Sequence, residues 1–435
     1  MSFKSPLSLQ ELAENSLLRN RALAISALED LPSVFIPSLF KKACRKNCSD
    51  IMVTMVQAWP FPCLPLGAMI RRKAAYRRIL EIILLGLDGL LFQKAYHRRC
   101  RLQVLDLRGM PLKMWDTWSV FMAHDPSENP AAVGEAGTEA RPLLKVVIDL
   151  VLKEGPLTSA ESFLVQWVGQ REGQTRLCCN KLQIWSMAIS YHRGVLERLD
   201  LDSIQELSLL CMNNPTCLLN FSPYLGRMRN LRSLLLSSLW SGVFLTPVEK
   251  DQIITQFTSQ FVKLKHLQSL HLDNVFFLEG HLDQLFWWLR APLETLSVTH
   301  CFLSKSDWTH LAEFLCMSQL KHLILKCVKL THFSPEPLRV LLLKTAPALM
   351  TLDLEGCQLT DSQLSAILPA LRRCTQLTLF NLSGNYASKR FLRDLTDHQI
   401  KLRHQGSQIT LVPSSCVECV AAGRTIGQPE PVFPL

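Results

Sequence analysis

Cys416 and Cys419 stand at the C-x-x-C spacing that lets two thiolates reach one zinc ion. Zinc needs about four ligands, and no second such pair follows, so two free thiols in the tail are the plainer expectation. The chain has 15 cysteines in all. Several, including Cys301, Cys316, Cys357 and Cys374, fall on apolar faces where a reduced thiol behaves as a small hydrophobe. The 12 histidines are scattered, with no spacing to acidic or cysteine neighbours that a metal site requires. No phosphate-binding glycine loop occurs, and no G-x-S-x-G nucleophile elbow. The side chains therefore promise neither catalysis nor a cofactor, and binding is the chemistry to look for.

What positions them is a repeat. The frame L-x-x-L-x-L opens at Ile204, Leu231, Leu267, Leu293, Leu320, Leu349 and Leu377, in steps of about 28 residues. The clearest copies are Leu267-x-x-Leu270-x-Leu272, Leu293-x-x-Leu296-x-Val298, Leu320-x-x-Leu323-x-Leu325 and Leu349-x-x-Leu352-x-Leu354. Within a copy, alternation sends Leu352 and Leu354 inward and Thr351, Asp353 and Glu355 outward. Cys357 follows where turning backbone needs a polar partner, as do Cys301 and Asn385. Thr360-x-x-Gln363 then reads as a capping box, and Leu364, Ile367, Leu368 and Leu371 recur at helical spacing. Trp308, Leu311, Phe314 and Leu315 are expected to pack back in the same way two repeats earlier. A strand plus a return helix cannot bury its apolar side alone, but stacked copies can. The fold expected is α/β, a leucine-rich repeat horseshoe solenoid of the ribonuclease-inhibitor type with a helical N-terminal region.

Four segments follow from this reading. Residues 1–100 form a helical cap, and 101–200 a transition region with a first repeat-like strand at Leu102-x-x-Leu105-x-Leu107 and a flexible loop at 124–141. Residues 201–395 carry the repeats, and 396–435 are a shortened tail. Helices are expected from Ser8, over Asn20 to Asp30, from Ser49, from about Ala68 to His97, and over Leu143 to Glu154 and Ser159 to Gln170, with a further strand region in Leu182 to Ile189. The stretch Trp59 to Pro65 reads as an irregular, partly buried turn.

Hydrophobic residues make up 48% of the 435, and mean hydropathy is slightly positive because of leucine. The longest apolar run, Ile79 to Phe92, is broken by Glu81 and Asp88 and is short for a bilayer. With no signal-peptide block after Met1, an intracellular protein is expected, cytoplasmic with nuclear access. The net charge of +10 is concentrated between Lys41 and Lys113. Around a helix, Arg71, Arg72, Lys73, Arg77 and Arg78 scatter instead of forming a stripe, which disfavours direct nucleic-acid binding.

The chain resembles the PRAME family (preferentially expressed antigen in melanoma). Carrying the resemblance are Leu9-Gln10-Glu11-Leu12-Ala13, Met55-Val56-Gln57-Ala58-Trp59-Pro60-Phe61, Leu102-Gln103-Val104-Leu105-Asp106-Leu107-Arg108, Phe221-Ser222-Pro223-Tyr224-Leu225-Gly226 and Pro292-Leu293-Glu294-Thr295-Leu296-Ser297. It departs from the family in a shorter, cysteine-poorer end. The resemblance implies a leucine-rich repeat receptor that joins elongin B/C and cullin-2 as the substrate-choosing arm of a ubiquitin ligase. It also implies negative regulation of transcription, differentiation and apoptosis. The alternative it carries is a corepressor of the retinoic acid receptor acting without a ligase.

Residue patterns can be set beside that implication. Ala22-Leu23-x-x-x-Ala27-x-x-x-Leu31 fits a relaxed elongin-docking helix, whose leucine enters a pocket while small residues permit close approach. Leu31-Pro32-x-x-Phe35-x-x-x-Leu39 fits a relaxed cullin contact. The same residues could equally cap the solenoid. L-x-x-L-L, the receptor-contact pattern, occurs at Leu87, Leu231 and Leu338, where packing already calls for leucine. The broader platform is the outward strand face: Ser269, His271, Asp273, Thr295, Ser297, Thr299, His322, Ile324, Lys326, Thr351, Asp353 and Glu355. This mixed, mostly small and polar strip suits a folded protein or a peptide.

Overall fold

A computed structural model describes residues 8–69, 73–92, 98–108, 143–185, 188–210, 216–239, 245–391 and 408–410. The loop 124–141 and the Cys416/Cys419 pair lie outside them. The fold is α/β and built on parallel strands, and the chain divides into two compact units. Among the described residues no helix is long and apolar enough to cross a membrane.

The first unit holds most of residues 1–150, with 155–180 and 193–200. Helix α1 (Leu9–Arg19) opens on a full capping box, in which Glu11 N–H donates to Ser8 Oγ and Ser8 N–H to Glu11 Oε2. Asn20 caps α2 (Arg21–Ala27) through Leu23 N–H. A helix not expected from the sequence, α3 (Ile36–Lys46), begins on Pro37 and stops at Asn47 in the left-handed conformation. Its buried stripe, with Leu39, Phe40 and Ala43 in the core, packs against α4 (Ser49–Gln57). Lys42 pairs with buried Glu14 at 2.6 Å and fastens α1 to α3. Burial alone would raise the Glu14 carboxyl, but bonds from Lys42, Gln10 and Ser38 hold it below the usual range.

Trp59 and Phe61 are buried as expected, and Trp59 Nε1–H donates to the Cys63 carbonyl at 2.9 Å. The turn is more regular than its prolines suggested. Cys63–Pro65 is a strand, β1, parallel to β2 (Val104–Asp106). Proline 65 ends it, where a missing donor is tolerated at an edge. The long helix expected from Ala68 is described as α5 (Leu66–Met69) and α6 (Lys73–Phe92).

One expectation fails outright: Leu143–Glu154 is not a helix. Leu144–Leu152 is strand β3, paired with β2. Leu144, Val146, Ile148, Leu150 and Leu152 are buried in strict alternation, and Val146, Val147, Ile148 and Val151 are β-branched. Both features favour a strand over a helix of the same apolar content. Ser159–Gly169 is helical, with a Thr158/Glu161 capping box. Strand β4 (Thr175–Trp185) starts earlier than expected, and its first half pairs β5 (Leu199–Asp200).

In the second unit, the rest of β4 (Lys181–Trp185) pairs β6 (Glu206–Leu210). Each later strand pairs its successor in parallel: β7 (Ser233–Leu239), β8 (Ser269–Val275), β9 (Thr295–Thr299), β10 (His322–Lys326), β11 (Thr351–Asp353) and β12 (Leu379–Asn381). The register is constant, with Leu234, Leu270, Leu296, Leu323, Leu352 and Phe380 in one buried column. The pattern does not fade at 395. A further strand, β13 (Gln408–Thr410), pairs β12.

Return helices lie between the strands, among them Pro247–Thr258, Glu336–Thr345 and Asp361–Leu371. Trp308 and Leu311 are buried, but Leu315 is not: it is 88% exposed. The helix Lys305–His310 ends before it, and Leu315 opens a tighter three-residue turn whose Cys316 and Met317 take the inward positions.

Polar side chains tie one repeat to the next. Cys301 Sγ accepts from Val275 N–H at 3.4 Å, and Cys357 Sγ donates to the Leu325 carbonyl. Asn385 accepts from Leu359 N–H and donates to the Leu354 and Leu382 carbonyls. Asn385→Ala removes all three of these buried bonds, so a loss of about 2–3 kcal/mol is expected, read as a lower urea midpoint. Four residues after each member of the buried column stands a left-handed residue: Ser238, Asn274, His300, Cys327, Gly356 and Gly384, with φ from 53° to 71°.

Candidate protein-recognition surfaces

Two surfaces collect the residues singled out from sequence, one in each unit. In the first unit, Ala22 and Leu23 are exposed on α2, Leu23 by 52%, while the next turn carries Leu28 into the core. Ala27, Leu31 and Phe35 are half-buried and Pro32 is exposed. Leu39 must be removed from the set: at 1% exposure it packs inside and is not available to a partner. The apolar stripe of α3 is wide, and its second turn points inward with Phe40 and Ala43.

Sequence reasoning missed the group that holds this segment. Arg99 donates to the Leu28 and Leu31 carbonyls, both at 2.6 Å, where α2 has run out of intrahelical donors. A charge 68 residues downstream, with no pattern of its own, leaves no sequence signal. Arg99→Ala is expected to free the turn at 28–31 by about 2 kcal/mol. Amide exchange over residues 24–35 should rise roughly thirtyfold while α4 stays protected.

The second surface is the outward face of β8 to β11. His271, Asp273, Thr295, Thr299, His322, Ile324, Lys326, Thr351, Glu355 and Ser269 are all part-exposed, while Ser297 and Asp353 are largely covered. Asp273 accepts from Thr299 Oγ1 at 2.7 Å, from Ser237 Oγ at 3.2 Å and from His300 Nδ1 at 3.2 Å. Burial pushes its carboxyl up, but these donors outweigh that and hold it below the ordinary value. Lys326 lies between Glu355 at 2.9 Å and Asp353 at 3.1 Å, and its ammonium is held above its usual range by the bond to Glu355, against desolvation. Burial alone pulls the His271 imidazole down, toward the neutral form.

The leucines of the receptor-type L-x-x-L-L segments are largely taken up by packing. All the leucines of the L-x-x-L-L segments at Leu87 and Leu338 are buried, and so are Leu231 and Leu234 on the approach to β7 and within it. Burial raises the thiols of Cys301 and Cys374 to about 11 and of Cys316 and Cys357 to about 12, which suits packing, not reactivity. Among the described residues, no three His, Cys, Asp or Glu side chains gather as metal ligands.

Parallel strands stacked in one register, with return helices between them, leave partly exposed polar rungs on the outward face of β8 to β11. Comparison with known proteins agrees at the level of family. The PRAME N-terminal domain matches residues 6–115 and the PRAME C-terminal domain residues 144–423. Preferentially expressed antigen in melanoma-like protein 1 of Mus musculus is 66% identical over 433 residues, covering 100% of this chain and 94% of the relative. PRAME family member 12 of Homo sapiens is 47% identical over 406 residues, covering 92% and 83%. Human PRAME family member 20 is 43% identical over 410 residues, covering 93% and 86%. The chain belongs to the PRAME family.

Proposed function

We propose that this chain is a non-catalytic adaptor: a leucine-rich repeat horseshoe that selects a target protein, with a helical segment that docks on elongin B/C and cullin-2 to bring that target to a ubiquitin ligase. The observation that carries the docking half is Leu23. Leu23 is half in water on a short helix beside exposed Ala22, which is where the docking helix of this reading needs an apolar group. Supporting the selecting half are the outward rungs of β8 to β11, part-exposed over adjacent strands in one register. Leu31, Pro32 and Phe35 continue the docking segment toward cullin-2. Repression of transcription follows in this reading from removal of a target.

The test is affinity purification of the full chain from cells under proteasome inhibition, followed by mass spectrometry. Elongin C and cullin-2 should co-purify at comparable abundance. Their absence, with other proteins still captured, rejects the ligase role.

A further inference from the structure

By sequence the outward face of the second unit looks evenly mixed, but its pairing makes it directional. Constant register arranges the outward side chains in lanes that cross the strands. One lane, through Leu235, His271, Ser297 and Ile324, places two part-exposed aliphatic groups on either side of small or uncharged ones. The neighbouring lane runs through Ser237, Asp273, Thr299 and Lys326. In it Lys326 is committed to both Asp353 and Glu355, so one cation stands against two carboxylates. Asp273 is met by two hydroxyls and an imidazole. Counting carboxylates and ammonium alone, three against one leave about two negative charges beside an aliphatic lane, on a chain whose total is +10.

Geometry sets the reach. Asp273 on β8 and Glu355 after β11 are three strand steps apart, about 14 Å at the usual spacing of a sheet. An extended chain advances about 3.3 Å per residue, so four residues cover that distance. Side chains four apart on an extended segment also point the same way.

We propose that this face takes an extended polypeptide segment running across the strands, with two Lys or Arg residues four positions apart, one over Asp273 and one over the Asp353–Glu355 pair. The aliphatic lane of Leu235 and Ile324 supports the apolar parts of the same segment. The proposal rests on the target-selecting role above and names the chemistry of what is selected. The same charges repel a polyanion such as a polynucleotide from this face.

Fluorescence anisotropy on the full chain tests it, using twelve-residue labelled peptides in a Gly/Ser/Leu host with two Arg four positions apart, or two Glu in their place. The Arg peptide should bind at least tenfold tighter than the Glu peptide, and added salt should weaken it. Asp273→Asn and Glu355→Gln should each weaken it about fivefold. Lys326→Gln, which releases both carboxylates, should tighten it several-fold, and thermal melts establish that each variant is folded. Equal affinity for the two peptides, no binding of either, or indifference to both carboxylate variants overturns the proposal. Elongin C capture is measured on the same preparation. Peptide failure with capture intact rejects only this face, and lost capture with Arg-selective binding intact rejects only the ligase role.

Discussion

Leu23→Asp is expected to abolish elongin C capture while leaving the fold unchanged. Leu23 is the exposed apolar side chain of α2, so its replacement disturbs little in the free protein. In a complex its burial would contribute about 1.5–3 kcal/mol, and a carboxylate in the same pocket adds a desolvation penalty of a similar or larger size. The sum exceeds about 3 kcal/mol, or more than a hundredfold in affinity. Leu23→Ala removes only the first part and should weaken capture about tenfold. Pull-down at graded elongin C concentrations separates the two variants. If Leu23→Asp binds like the parent chain, α2 is not the docking element, and the part-exposed Phe35 segment becomes the one to test.

The largest expected effect on stability lies at Trp59. Its ring is fully buried, meets Phe40 edge-on at 5.3 Å and Phe61 at 5.7 Å, and its indole N–H donates to Cys63. Trp59→Ala deletes the aromatic contacts and leaves the Cys63 carbonyl, at the first residue of β1, short of a partner. A loss of about 3–5 kcal/mol follows for the first unit. Because the chain has two compact units, one melting temperature is a poor readout. Hydrogen exchange in peptides spanning 36–57 and 245–275 is better: the first set should lose protection by orders of magnitude, the second should not. Uniform loss in both would mean that the two units unfold as one.

Much of the second unit was legible because its signal is repeated. The buried column from Leu234 to Phe380 sits where the L-x-x-L-x-L frame puts it, and the polar turn positions Cys301, Cys357 and Asn385 bond across repeats as their spacing implied. The failures have physical causes. Over Leu143–Glu154 apolar content alone is compatible with a helix, whereas the period of Val146, Ile148 and Leu150 is that of a strand. Helix α3 has no counterpart among the sequence expectations; Pro37 sits in its first turn, where proline is tolerated. The linear pattern that puts Leu39 on a partner cannot tell the outer from the inner side of a helix, and Leu39 is on the inner side. Arg99 and the double engagement of Lys326 depend on contacts between distant residues, so no local spacing announces them.

The left-handed column from Ser238 to Gly384 carries one more consequence. Of its six members two are glycine and one is asparagine, while serine, histidine and cysteine hold the same conformation at a steric disadvantage of about 1 kcal/mol each. What recurs from rung to rung is therefore a backbone bend at one height, and the residue that adopts it is free to drift. Excising a whole module, such as residues 295–321, would rejoin two ends already in phase. Excising half of one would not, and length variation in this lineage should come in complete modules.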